Sequence, residues 1–434
     1  MNEHNGGTRP GESPPGRFNE MRSLLGQNAV LLPLVAASSV LALVMQVIMA
    51  RMLGPSEFSV VASLLGLMFV LAILSASIQA DVARSVASIS APGGSGAATG
   101  YVARALTSSV ALACVLSVVI ALLSAPFATF FHFGSRNAVL AMASVTVTTL
   151  CLPVLRGDLQ GKQRFLGLGL NVVFEAVVRL GAGVLLVALG FGAAGAVLAY
   201  GIGGAAALAV LLPRLVRTRV AGAPTLSLVK SMVWPIFLTN LSLVLMASLD
   251  VLVAKRFLSD DAAGSYSGMA LLGRAVLFAT GAISWVMLPT TAEAHAAERT
   301  PLPAFGISAM LVLVVSGGAI TVYAAAPTVV INAVLGSGFA QQRAVLLMLG
   351  TAGGVFGMLL LFANLYFSRG DRWVWLVPAA ALCAELALFA LNHGSPAAIA
   401  LDLLLPASGL LAYFTATTYL RRRSLFPPGP GTTP

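Results

Sequence analysis

Twelve long apolar runs dominate the chain, at about residues 27–50, 57–79, 104–124, 137–155, 166–189, 191–212, 229–249, 265–289, 304–326, 344–367, 373–391 and 396–419. A helix needs about 20 apolar residues to cross the hydrocarbon core of a bilayer, and its backbone polar groups must be satisfied within the segment. Runs of this length and number dictate an all-α polytopic membrane protein with about twelve transmembrane helices. Outer-membrane barrel strands alternate apolar and polar residues, and these runs do not. Only 9% of the 434 residues are charged, against about 25% in a soluble domain. A soluble enzyme, a disordered chain and a nucleic-acid-binding domain are therefore excluded.

The flanks and the loop charges set the topology. Residues 1–24 are polar and rich in Gly and Pro, and read as a disordered tail. The first run is long and is followed by no convincing small-residue cleavage site, so it reads as an uncleaved anchor. With a cytoplasmic N-terminus, eighteen of the 25 Lys and Arg fall on the inner side and five, Arg51, Arg136, Lys255, Arg256 and Arg343, on the outer side. Arg179 and Arg274 lie inside runs. Cationic loops stay cytoplasmic, so both termini are expected there. The net charge of +10 is mostly this bias.

The chain repeats itself. QVIMARMLGPSEFSVVASL at 46–64 is echoed by DVLVAKRFLSDDAAGSYSGMA at 250–270, and GKQRF at 161–165 by GDRW at 370–373. Six runs separate the copies, which makes the repeat parallel, a transporter signature. The expected organisation is a tail (1–24), a six-helix half (25–212), a linker (213–228), a second six-helix half (229–420) and a C-terminal tail (421–434). Pro33 in the first run and Pro235 in the seventh occupy nearly corresponding places. Proline bends a helix, so the two read as hinges or as incidental membrane prolines.

Four motifs carry a resemblance. ARMLGPSEFSVVASLLGL (50–67) resembles the A-R-x-L-G-P-x-x-F signature of Wzx-type oligosaccharide flippases. LRGDLQGKQRF (155–165) resembles their R-G-x-L-Q-G-x-x-R-F segment, with Glu175 and Arg179 at the expected spacing. LDVLVAKRFLSDDAAGSYS (249–267) resembles their second-half segment, and LGSGFAQQRAVLLMLG (335–350) the loop before the tenth helix. Ser59-Val60 and Leu258 depart from the pattern. The resemblance covers about residues 22–420 and implies the multidrug/oligosaccharidyl-lipid/polysaccharide exporter (MOP) superfamily. The implied fold is MATE-like, two six-helix bundles around a central cavity. The implied activity is alternating-access movement of undecaprenyl-pyrophosphate-linked oligosaccharide across the bacterial inner membrane. Such a protein is expected to be a monomer without enzymatic activity, cofactor, metal or nucleic acid. Its partners would be its lipid-linked cargo, membrane lipids and polysaccharide polymerase or assembly proteins.

A flippase must shelter a charged headgroup, and arginine binds phosphate bidentately while staying charged. A mid-membrane charge costs about 2.5–3.5 kcal/mol on insertion scales, so Arg274, about ten residues into the eighth run, must meet a cavity or a partner. Arg51 ends the first run, while Asp250 closes the seventh, followed by Lys255 and Arg256. These outer-mouth charges could gate, guide the headgroup or snorkel. Asp81 and Arg84 sit at the inner end of the second run. The substrate-binding candidates are thus Arg274, Arg51, Arg84 and Lys255. The gating or coupling candidates are Glu175, Arg179, Asp250, Asp81, Pro33 and Pro235. Glu175 and Arg179, four apart on one helix face, read as a structural pair or a gate. Arg22 and Arg156 read as inside-rule residues. Glu385 and Asp402 are buried acids that could relay protons. Asn171, Asn240, Asn364, Gln46 and Gln79 could line a lumen or join helices.

Two alternatives to a flippase stay open: a cation-coupled small-molecule antiporter of the same superfamily, and a membrane polysaccharide polymerase. The antiporter would need acidic, aromatic-lined first-half helices, where Glu175 is the sole buried acid. The polymerase would need a large outer loop, and the longest here, near 125–136, 250–264 and 327–343, are short.

Overall fold

The computed structural model describes residues 16–89, 95–216, 234–296, 302–367 and 373–420. Thirteen helices and no strand occur among them. In the N-terminal half they are α1 (Gly16–Ile89), α2 (Ser95–Leu122), α3 (Ser124–Phe130), α4 (Asn137–Gly161), α5 (Phe165–Ala188) and α6 (Gly192–Val216). In the C-terminal half they are α7 (Trp234–Phe257), α8 (Asp260–Ala296), α9 (Leu302–Ala325), α10 (Pro327–Val334), α11 (Arg343–Phe367), α12 (Leu376–Leu391) and α13 (Pro396–Leu420). α1 contains the first two apolar runs, and α3 and α10 are short. Nine helical segments among the described residues are long and apolar enough to cross a membrane. Each of the twelve runs contains helix among its described residues, in a multi-pass membrane fold.

The repeat is visible in the element order. α3 and α10 begin at Ser124 and Pro327, 203 residues apart, and α4 and α11 at Asn137 and Arg343, 206 apart. Several boundaries differ from the sequence reading. α1 begins at Gly16, inside the expected tail. The fourth helix continues to Gly161, with a Lys162–Asp158 ion pair of 2.6 Å at its end. The seventh continues past Asp250 to Phe257. Residues 213–216 close α6. Residues 1–15, the rest of the expected linker, most of the GDRW echo and the C-terminal tail lie outside the described residues.

The break in α1 falls at Gly54 (φ 71°, ψ 178°), not at Pro33. That conformation is essentially restricted to glycine, and Pro55 is pre-set to start the next helical limb. The G-P of the motif is thus the corner joining two membrane spans. Pro33 lies inside α1, while Pro235 falls in the first described turn of α7.

α1 also joins the halves, packing against both α7 and α8. A Cβ at Gly264 would overlap the Pro55 carbonyl, so that glycine lets the α1 corner seat on α8. The Phe58 ring meets Phe339 edge-on at 6.3 Å. Arg51 Nε donates to the Val334 carbonyl at 2.9 Å, and its terminal nitrogen donates to the Ala333 carbonyl. These are among the last carbonyls of α10, which have no intrahelical partner and favour a cation. Arg256 of α7 reaches the His132 ring beyond α3 at 3.1–3.2 Å and lies 4.8 Å over the Phe130 ring. The halves are therefore clasped at the Arg51 end.

Gly54→Ala tests the corner cleanly, since a Cβ there meets nothing within 4 Å. The penalty should be backbone strain alone, about 1–3 kcal/mol, read as a lowered thermal midpoint in detergent. An unchanged midpoint would contradict this reading of the corner.

Candidate functional site

A cavity of about 390 Å³ lies away from the clasp, lined by both limbs of α1, by α4, α5 and α6, and by Phe278 of α8. Phe278 faces Phe69 at 6.2 Å, an aromatic pair spanning the two halves. The walls are mostly apolar, with Gln46, Ser75, Gln79, Thr148, Thr149 and Tyr200 as neutral polar groups. Several of these are tied down. Ser75 donates to the Thr149 carbonyl at 2.7 Å, and Gln79 donates to Gln160 Oε1 at 3.0 Å.

The charged lining residues are Arg156, Glu175 and Arg179. Arg156 sits on the α4 face that also carries Thr149 and Leu152, at helical spacing. Glu175 and Arg179 share a face of α5 with Asn171. One Arg156 terminal nitrogen meets Glu175 Oε2 at 2.7 Å, while Arg156 Nε donates to Asn171 Oδ1 at 2.9 Å. Asn171 is 3% exposed and donates through Nδ2 to the Ala207 carbonyl at 2.9 Å. Arg179 stands 3.6 Å from Glu175 Oε1, and its guanidinium lies 4.8 Å over the Tyr200 ring. Two arginines thus share one carboxylate beside a cavity. The site carries net positive charge and fork-shaped donors suited to an oxyanion.

Of the expected residues, Glu175, Arg179, Gln46 and Gln79 line this cavity. Asn171 does not; it holds Arg156 in place. The sequence reading took Arg156 for an inside-rule residue. The polar face formed by Thr148, Thr149 and Arg156 is the signal that could have identified it.

The four expected substrate contacts are engaged elsewhere. Arg51 caps α10. Arg84 is exposed, 3.9 Å from Asp81, and donates to the Ala80 carbonyl. Lys255 is 2% exposed and ion-paired to Asp260 across the α7–α8 corner. Arg274 pairs with Asp250 at 3.4 Å inside the C-terminal half, beside a void of about 20 Å³, room for about one water. Asp250 also accepts from Tyr266 at 3.1 Å, and Asp81 accepts from Tyr101 at 3.1 Å. With these partners Asp250 and Lys255 remain inside α7 rather than ending it. Glu385 is fully buried with no hydrogen-bond donor to either carboxylate oxygen among the described residues. Asp402 is 2% exposed, and its Oδ1 accepts from Asn392 at 3.4 Å.

Two helical halves, a clasp at one end and a mostly apolar cavity bearing a charged cluster define a membrane transporter or flippase fold. A family model described as "Polysaccharide biosynthesis protein" matches residues 25–295, and the chain belongs to that family. No curated protein is similar enough in sequence to count as a match. Among solved structures, an inward-facing multidrug resistance MATE transporter of the MOP superfamily aligns with a TM-score of 0.70 at 11% identity, covering 89% of this chain and 96% of that one. The lipid II flippase MurJ in an inward closed conformation aligns at 0.68 and 12% identity, covering 89% and 86%. An outward-facing MATE transporter aligns at 0.58 and 12% identity, covering 92% and 94%. The chain therefore has the MOP-superfamily fold.

A double-mutant cycle tests the network. Arg156→Ala should cost about 1–3 kcal/mol by leaving Glu175 with only the longer Arg179 contact and Asn171 Oδ1 without its donor, read as a lower thermal midpoint. Adding Glu175→Gln should recover part of that loss through coupling. Strict additivity would show that the pair is not coupled.

Proposed function

We propose that this protein is a flippase for undecaprenyl-pyrophosphate-linked oligosaccharide in the bacterial inner membrane, serving surface polysaccharide assembly. The supporting observation is the cavity with two arginines against one carboxylate. An oxyanion headgroup would neutralise its excess charge, while the neutral polar lining suits sugars. An organic cation would meet like charge, which disfavours the multidrug antiporter reading. With both termini cytoplasmic, the Arg51 clasp faces the periplasm and the cavity faces the cytoplasm. Translocation then requires breaking the α10 cap and the Arg256 contacts as the halves rock. Arg51 and Arg256 act as outer-gate latches in this scheme.

The buried acids of the C-terminal half supply a coupling element. An isolated carboxylate in a low-dielectric interior calls for neutralisation. Glu385, with no donor among the described residues, is the group we assign to the driving cation or proton. Glu385→Gln should leave headgroup binding intact and abolish the dependence of flipping on an imposed ion gradient in proteoliposomes. Persistent gradient dependence would contradict that assignment.

The cargo is tested in a deletion strain. Lipid-linked oligosaccharide should accumulate in a pool protected from an impermeant external glycosidase, and surface polysaccharide should be lost. Wild-type protein should reverse both effects, and the Arg156→Ala/Arg179→Ala variant at equal abundance should reverse neither. Unchanged glycan with altered drug tolerance would support the antiporter instead, and short exposed units a polymerase.

A further inference from the structure

Glu175 is held differently from the arginines that it faces. Arg156 has neutral support: Nε donates to Asn171 Oδ1 at 2.9 Å, and a terminal nitrogen reaches the Asn171 carbonyl at 3.4 Å. Asn171 is anchored in turn on the Ala207 carbonyl of α6. Arg179 has neutral support as well, from the Tyr200 ring. Its Nε is buried and donates to no acceptor among the described residues. Glu175 contacts the two arginines unequally, at 2.7 Å and 3.6 Å. The cations are thus scaffolded by neutral groups on α5 and α6, and the carboxylate occupies the space between them where a ligand oxyanion would fit.

We infer that Glu175 is a resident counter-anion which the headgroup displaces, and that it sets which anions the cavity accepts. The inference rests on the headgroup reading above and adds the source of its selectivity. Ordinary bilayer phospholipids carry a phosphodiester with one negative charge. Exchanging Glu175 for such a group replaces one anion by another and gains little. A pyrophosphate diester carries two negative charges and a longer set of oxygens, so it can engage both arginines at once. Glu175 thereby keeps abundant lipids out of a cationic cavity embedded among them. It also spares the arginines from being left unpaired after release, since an uncompensated buried charge is costly. Transport needs binding weak enough to leave as well as strong enough to enter, and the returning carboxylate provides the competition that ejects the cargo. The groups facing Glu175 are Arg156 from α4, Arg179 from its own helix and Tyr200 from α6; α1 and α8 contribute neutral residues to the cavity.

The test is equilibrium binding to the full chain in zwitterionic nanodiscs. The probe is farnesyl-pyrophosphoryl N-acetylglucosamine, and phosphatidylglycerol is the competitor. Wild type should bind the probe with little competition. Glu175→Gln, which keeps the shape and an acceptor for Arg156, should bind about tenfold tighter and become sensitive to phosphatidylglycerol. Glu175→Asp, which draws the charge back from both arginines, should move the same way by less, and tests the inference should the amide variant fail to fold. Unchanged or weaker binding with unchanged competition would make Glu175 a structural strut and overturn the inference. Arg156→Ala/Arg179→Ala separates the two readings. If wild type does not bind the probe, or this variant binds it equally well, the headgroup reading itself falls. If both controls behave as expected and the Glu175 variants do not tighten, only the counter-anion role falls.

Discussion

A charge inside a bilayer must be met by another charge, a dipole or water, and this requirement organises the molecule. Arg51 is met by the free carbonyls at the end of α10, in the opposite half. Arg274 is met by Asp250, and Lys255 by Asp260, within the C-terminal half. Arg156 and Arg179 share Glu175. The first arrangement ties the halves together, the second makes the C-terminal half self-contained, and the third leaves a surplus of positive charge at a cavity. The inter-half clasp, the paired charges of the C-terminal half and the arginine-lined cavity are three answers to one electrostatic cost.

The two halves share a helical order but differ in chemistry. The N-terminal half holds the arginine-bearing cavity. The C-terminal half packs α8 closely against α11 and encloses acids, of which Glu385 has no donor among the described residues. α1 packs against helices of both halves and so connects the arginine-bearing cavity to the acid-bearing bundle. The Gly54–Pro55 corner is central because it seats against Gly264 of α8.

Much of this was legible in the sequence, for reasons that also mark its limits. The helix count was readable because a bilayer forces satisfied backbones into runs of fixed length. The parallel repeat was readable because its copies retain charge and small residues at matched places. The A-R-x-L-G-P motif could be seen, but not that its glycine makes a corner and its arginine caps a distant helix. That Arg156 lines the cavity was not legible, because the apolar run stops at Leu155. The helix continues to Gly161, since Asn171 and Glu175 on another helix satisfy the guanidinium. The depth of Arg274 was readable, whereas its partner, Asp250, depends on how α7 and α8 face each other. Local patterns record depth and period; partners separated in sequence require the fold.

The central claim is that the headgroup binds between Arg156 and Arg179 in the N-terminal half. An electron cryomicroscopy map of the protein in nanodiscs with undecaprenyl-pyrophosphoryl N-acetylglucosamine examines it directly. The account predicts pyrophosphate density in that cavity, contacting both guanidinium groups, with the Glu175 side chain displaced. Density against Arg274 or Arg51 instead, with the cavity empty and the Arg156–Glu175 contact intact, would contradict it.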